Sequence, residues 1–164
     1  LYTIAPVPGA VFASAKKVIL LREIGLARYL DRPEIVRSSE NYRLGVMADD
    51  LWGESLRSMI GRVLVEELSQ RLPGSTIYSE TGAVSTRPDV TVELNIQRLD
   101  EDTSGRVVLL AQVDVGVTGR RGTTPRSFRI VVPTTGADIG AEVAAISGAL
   151  GQLADGIAAM LRHP

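Results

Sequence analysis

Chemistry at a protein site needs a nucleophile, a proton acceptor or metal ligands, and such side chains are sparse here. The single histidine, His163, stands one residue from the last position. A terminal histidine frays and makes a poor general base or metal ligand. There is no cysteine, which removes thiol chemistry and, with one histidine, leaves no donor set for zinc or copper. No Gly-x-Ser-x-Gly elbow occurs, and no serine has a histidine to activate it. Acids are paired at Asp49-Asp50, Glu66-Glu67 and Asp100-Glu101-Asp102. Neighbours on a helix point apart, so Glu66 and Glu67 form no acid–base dyad. The Asp100 cluster reads as a turn, with a weak calcium or magnesium site as its one metal reading. Gly116, Gly119 and Gly122 lack the Lys-Ser/Thr of a phosphate loop and read as a hairpin turn. Arg120, Arg121, Arg126 and Arg129 make a local basic patch there, either a solvated face or a seat for phosphate or an acidic partner. The expectation is a non-enzyme with no catalytic residue, no metal site and no cofactor.

Side chains suited to binding are easier to find. Trp52 is the one tryptophan. It reads as a core anchor at the start of a helix or as an interface anchor, because Trp and Arg dominate binding hot spots. The Tyr29-Leu30-Asp31-Arg32-Pro33 loop is similarly two-sided: Asp31 and Arg32 satisfy local backbone, or are held out to a neighbour. Tyr29, Asp31, Arg32 and Trp52 are therefore the candidate partner-contact residues.

The elements that must position them follow from periodicity. After Trp52, Leu56, Met59, Ile60, Val63, Leu64, Leu68 and Leu72 fall on one face of a 3.6-period helix that stops at Pro73-Gly74. Arg57, Arg62, Glu66, Glu67, Gln70 and Arg71 are left for its outer side. Asp49-Asp50 ahead of it suits the positive helix end. A second helix, about Asp138 to Leu161, carries Ile139, Val143, Ile146, Leu150, Leu153, Ile157 and Met160, with Thr135 as a candidate cap. Its glycines, Gly140, Gly148, Gly151 and Gly156, each cost about 1 kcal/mol against alanine, which implies close backbone approach to a sheet or another helix.

Strands supply that sheet. Leu1 to Ala5 and Lys16 to Ile24 have strand character, the latter with a core run expected to be covered on both faces. Ile35-Val36 and Tyr42 to Met47 read as a hairpin around Ser38-Ser39-Glu40-Asn41, and Ser75 to Tyr78 as a short strand before a loop at Glu80 to Pro88. Asp89 to Leu99, Val107 to Thr118 and Arg126 to Val132 read as an antiparallel meander, with Leu99 breaking phase at a bulge. The expected fold is α/β: one domain over residues 1–164, a mixed sheet with an antiparallel meander, and two long amphipathic helices packed on it.

Bulk composition narrows the function. The 164 residues are 45% hydrophobic and 23% charged, ordinary for a globular domain, with a formal net charge of −1. That charge and 4% aromatics argue against nucleic acid. No uninterrupted apolar run approaches the ~20 residues that span a bilayer. The chain opens on Leu1, so a processed form with a leader upstream is expected.

In order and spacing, these segments resemble the ABC-type transport auxiliary lipoproteins, the PqiC-like family. The likeness opens at Leu1-Tyr2-Thr3-Ile4 and continues through Tyr29 to Val36. It is densest at Leu51-Trp52-Gly53-Glu54-Ser55-Leu56 and from Arg62-Val63-Leu64 to Leu72-Pro73, and it resumes at Asp89 to Asp100 and Ala149 to Ala158. Members often carry proline where Ser55 stands. The resemblance implies a fold like the N-terminal domain of TolB-like proteins. It implies a periplasmic lipoprotein, lipid-anchored to the outer membrane through a cysteine upstream of Leu1. It also implies partners: an MCE-domain periplasmic protein and an ABC permease/ATPase complex that move lipid or other hydrophobic cargo and support envelope integrity. The expected role is docking of that conduit through protein–protein contacts, with a homo-oligomer ring as one arrangement. The alternative is a lipid-binding module that holds an acyl chain between helix and sheet, in room left by the glycine-rich last helix. A hydrolase or nucleotide-binding domain rests on fold analogy alone.

Overall fold

The structure, a computed structural model, describes residues 1–38, 42–82 and 86–164. Among these residues eight strands form one mixed sheet, and two long helices cover one of its faces. β1 (Val18–Leu21), β2 (Gly25–Leu26), β3 (Glu34–Ser38) and β4 (Leu44–Leu51) precede α1 (Leu56–Arg71). β5 (Thr76–Ser79), β6 (Val90–Glu101), β7 (Arg106–Val117) and β8 (Thr124–Pro133) lie between it and α2 (Ile139–Arg162).

β6 is the axis of the sheet. Val90, Val92, Leu94 and Ile96 are buried while Glu93 and Asn95 are exposed, the alternation of a strand with one covered face. β7 pairs with it antiparallel, and β8 continues the meander against β7, as the sequence predicts. On the other edge β1, β2 and β3 pair with β6 in turn, all parallel, at Ile19↔Val90, Gly25↔Asn95 and Arg37↔Glu101. β5 then extends β1 and β4 extends β3, so the sheet forks away from β6. The register shift lies between Ile96 and Arg98, two residues ahead of the phase break, and returns Leu99 to the buried face.

Several local expectations change. Lys16 to Ile24 is not one strand: β1 ends at Leu21, and the Glu23 N–H turns to the Glu80 carboxylate at 2.9 Å. Only Ile19 and Leu21 of β1 are fully buried, so one face rather than both is sealed. Asp49 and Asp50 belong to β4, because the Glu34↔Leu51 pairing carries the strand past them. The turn expected at Ser38 to Asn41 falls mostly on 39–41, outside the described residues, as does 83–85 of the loop after β5.

α1 buries the expected stripe from Leu56 to Leu68. Glu67 and Arg71, expected outside, are 2% and 1% exposed. The N-terminal segment covers them. It forms no strand beyond one bridge between Tyr2 and Trp52, and crosses both helices as a strap. The Ile4 N–H meets Met59 Sδ at 3.1 Å, the Ala5 N–H meets Ser147 Oγ at 3.2 Å, and the Phe12 N–H donates to the Arg71 carbonyl at 2.8 Å.

α2 buries Ile139, Val143, Ile146, Leu150, Leu153 and Ile157. Its cap is Asp138 rather than Thr135, with the carboxylate accepting from the Ala141 N–H at 2.8 Å. By length and composition α2 is long and apolar enough to cross a membrane, although no uninterrupted apolar run marks it, and 61% of its apolar window is buried in the fold. A Cβ at Gly156 would overlap the Phe128 ring of β8, and one at Gly151 would lie 2.9 Å from Val7 Cβ. The sheet fills the space at Gly156, and the strap fills it at Gly151 with Glu67 of the neighbouring α1 at 3.5 Å.

Candidate functional site

The loop ahead of β3 and the start of α1 enclose a depression of about 430 Å³. The Trp52 N–H donates to the Pro33 carbonyl at 2.8 Å and ties the two segments together. Asp31, Arg32 and Trp52, three of the four candidate contact residues, line it with Pro33, Ser55 and Leu56. Asp31 receives Arg57 at 3.0 Å, and Arg32 Nε donates to Glu34 at 3.0 Å. Trp52 is 6% exposed and packs in the main core, so it serves as a core anchor while bordering the depression. Tyr29 is not brought to this place. It sits in a 3-10 turn, Arg28–Leu30, and its hydroxyl donates to Asp100 on β6. Burial and that hydrogen bond hold the Tyr29 phenol well above its ordinary value.

Buried ionisable groups cluster at two junctions. At the first, Arg71 ties the strap to both helices. Its guanidinium reaches Asp155 at 2.7 Å, the Val7 carbonyl at 2.9 Å and the Gly151 carbonyl at 3.1 Å. Glu67 beside it accepts from the Val7 N–H at 3.0 Å, and its Oε1 is buried without a hydrogen-bond partner. Burial pushes the Glu67 carboxyl up to about 7, against the pull of that N–H and of Arg71. At the second, Arg37 of β3 sits 2.9 Å from both Glu101 and Glu142. Its Nε carries one hydrogen, which goes to Glu142, so Glu101 Oε2 is near the cation without receiving a hydrogen bond. Thr134 Oγ1 serves the other oxygen of Glu101 at 3.2 Å. Glu142 is fully buried, and burial pushes its carboxyl up to about 7 despite Arg37. Both junctions fasten elements together.

The opposite face of the sheet carries a trough of about 620 Å³ over β6, β7 and β8. Glu93, Asn95, Gln112 and Asp114 line it, and Arg22 at its rim meets Glu80 at 3.2 Å and Glu93 at 3.5 Å. Glu93 and Asp114 are register partners, an unfavourable like-charge pair. Arg22 offsets one, and the Thr123 hydroxyl donates to the other at 2.8 Å. Ionisable groups thus converge here, without a histidine, cysteine or lysine to act as nucleophile or base. The four hairpin arginines do not form one patch. Arg126 stacks over Phe128 at 4.5 Å, Arg120 donates to the Pro164 carbonyl at 3.3 Å, and strand alternation sends Arg129 to the other face. Among the described residues no three acids or histidines are placed to hold a metal ion together.

The sequence profile of the ABC-type transport auxiliary lipoprotein component family matches residues 2–158. This chain belongs to that family. As a member, it is an auxiliary lipoprotein component of ABC-type transport. Solved structures with the same fold include protein XCC0632 from Xanthomonas campestris, of the DUF330 family, at TM-score 0.80 and 17% identity, covering 98% of this chain and 91% of that one. Another, of an uncharacterized protein, aligns at TM-score 0.81 and 16% identity over 96% of this chain and 99% of that one. At such identities the likeness speaks for the fold alone. No curated protein sequence matches the chain.

Three features of this auxiliary component escaped the reading of its residues. Glu67 and Arg71 looked like an outer helix face, because a strap with no secondary structure leaves no periodic signal. The Arg37–Glu101–Glu142 junction joins residues 105 positions apart at its widest. Glu142, one helical step from Ile139, was its only local clue. The trough was legible only as the polar half of the β6 alternation.

Proposed function

We propose that this auxiliary component is a non-enzymatic docking subunit in the periplasm. Its ABC permease/ATPase system would hand lipid or another hydrophobic compound to an MCE-domain protein, and this chain would hold that conduit at the outer membrane from a lipid anchor upstream. A homo-oligomer ring is the arrangement this reading favours for surrounding a conduit. The observation that carries it is the match to a lipoprotein component of ABC-type transport over residues 2–158. The buried charges support it, since Arg71, Glu67, Arg37, Glu101 and Glu142 are spent on fastening the strap and the β3–β4 hairpin. What is left for function is surface, and the depression at Asp31, Arg32 and Trp52 is the contact we assign, with Tyr29 supporting the loop from behind.

The test is co-purification of the tagged chain with the MCE-domain protein and the permease/ATPase pair of its own envelope system. A stoichiometric complex is expected, and its absence in detergents that keep the transporter intact would overturn the reading. Light scattering of the purified chain reads the ring directly. The acyl-chain alternative finds less support, because Phe128 and Val7 fill the spaces beside Gly156 and Gly151.

A further inference from the structure

We propose that the outer edge of β8 takes an extended, acidic segment of a protein partner as a ninth strand. Among the described strands β4, β5 and β8 end the sheet. β5 is four residues long, and β4 is broken by a register shift against β3. Short length and bulges are common ways to blunt an edge. β8 has neither, since it pairs with β7 from Thr124 to Pro133 without a shift. Its phase follows from the Thr134 N–H, which donates to the Gly105 carbonyl at 2.9 Å just past the last pair, Arg106↔Pro133. In an antiparallel ladder alternate residues bond inward. The even-numbered residues of β8 therefore bond to β7, and Ser127, Arg129 and Val131 turn their N–H and C=O groups outward. Pro125 and Pro133 fall in the same outward phase, where a missing N–H costs no ladder bond. Ser127 and Arg129 are exposed and Val131 is half-buried. Among the described residues the outward groups meet no backbone partner.

Side chains select the occupant. On one face of β8, Phe128, Ile130 and Val132 are half-buried and pack against the core. Apolar residues of an added strand would extend that stripe. Arg129 stands on the other face, and Arg126 stacks over Phe128 at 4.5 Å. Neither arginine has an ion-pair partner among the described residues, and Thr124–Pro133 holds no acid. β7 carries one acid, Asp114, opposite Pro125. A ninth strand would lie two strand spacings from it, about 10 Å, where ordinary salt screens the repulsion. A second copy of β8 would bring more arginines to this edge and no carboxylate, and like charges across a strand pair repel. The complement is a strand with apolar side chains toward the helices and acids beside Arg129, held by main-chain hydrogen bonds. No residue of β8 lines the depression at Asp31, Arg32 and Trp52. The isolated chain tests the edge, so its failure is separable from failure of the docking contact there.

The purified chain is titrated with a short capped peptide of alternating valine and glutamate, read by calorimetry and by amide hydrogen exchange. Saturable binding is expected. Exchange should slow at Ser127, Arg129 and Val131 and stay unchanged at Phe128 and Ile130, whose N–H groups already serve β7. The same peptide with lysine for glutamate should bind about fivefold more weakly or worse, as loss of charge-assisted contacts would. Arg129→Glu should reverse that preference. Of two N-methylated forms, one at the glutamates and one at the valines, one should fail to bind, because only one set of amides faces β8. No saturable binding up to about 1 mM, or slower exchange only at residues outside β8, would overturn the proposal. So would binding that survives both methylations, or a lysine peptide that binds as tightly. Protection of the three outward amides that rises with chain concentration, without peptide, would make a second copy the occupant and overturn it as well.

Discussion

The two helices begin in opposite ways. α2 starts on Asp138, which caps the Ala141 N–H, and carries Glu142 in its first turn, locked to Arg37 and to the Glu101 N–H. α1 starts on a serine that caps nothing and has no acid in its first turn. Both ends carry the same partial positive charge, and only one is answered by the chain's own carboxylates. A helix start that must hold the fold together is sealed from within. One left open at a surface depression is available to something outside. The strap repeats the first pattern at the far end of α1, where Arg71 and the Phe12 N–H take up the last turn.

The largest expected effect tests how far the α2 start depends on its seal. Arg37→Ala leaves Glu101 and Glu142 buried without their cation, and should cost about 3 kcal/mol or more in denaturant unfolding, as broken buried pairs do. A cost no greater than that of an ordinary surface change would mean the junction is not sealed.

Next comes pH. Glu142 and Glu67 are each pushed up to about 7 by burial. The folded chain therefore holds more protons than the unfolded one between the ordinary glutamate range and that value. The stability each contributes is complete below about 4.5 and is lost as pH rises through about 7. Unfolding free energy should fall between pH 5.5 and 8, by roughly 1–3 kcal/mol per group. Glu142→Gln should remove its share of the slope, and Glu67→Gln the other. A flat profile in the parent chain contradicts the burial of both groups.

Smaller effects separate the two caps directly. Asp138→Ala should lower stability by about 1 kcal/mol, the usual worth of a helix cap. Ser55→Asp should raise it by about 0.5 kcal/mol, with an exposed cap at the low end of the range. If both changes are neutral, the contrast between the helix starts has no energetic content.

Periodicity made much of this visible in the sequence. The α1 and α2 stripes and the β6–β8 alternation are short-range patterns, each written within one element. So was the bulge, because Leu99 falls out of phase with Ile96. The placement of Asp49-Asp50 was misread because acids near a helix start suit a strand end equally well, and only the pairing with Glu34 decides. Glu67 and Arg71 were misread because burial by an irregular strap is a long-range event, with Val7 sixty positions from Glu67. At the candidate site, Asp31, Arg32 and Trp52 were legible as residue types, and the depression brings them together. Tyr29 shares their loop but is turned to Asp100, which nothing in its local sequence indicates.

We propose that this chain works as a docking surface, with the depression at the start of α1 as the contact. The direct measurement is the dissociation constant for the purified MCE-domain protein that we propose as the partner, taken with the wild-type chain and with Arg32→Glu at matched melting temperature. At least about tenfold weaker binding is expected for the variant, equal to about 1.4 kcal/mol. Equal dissociation constants, with both chains folded, would contradict it.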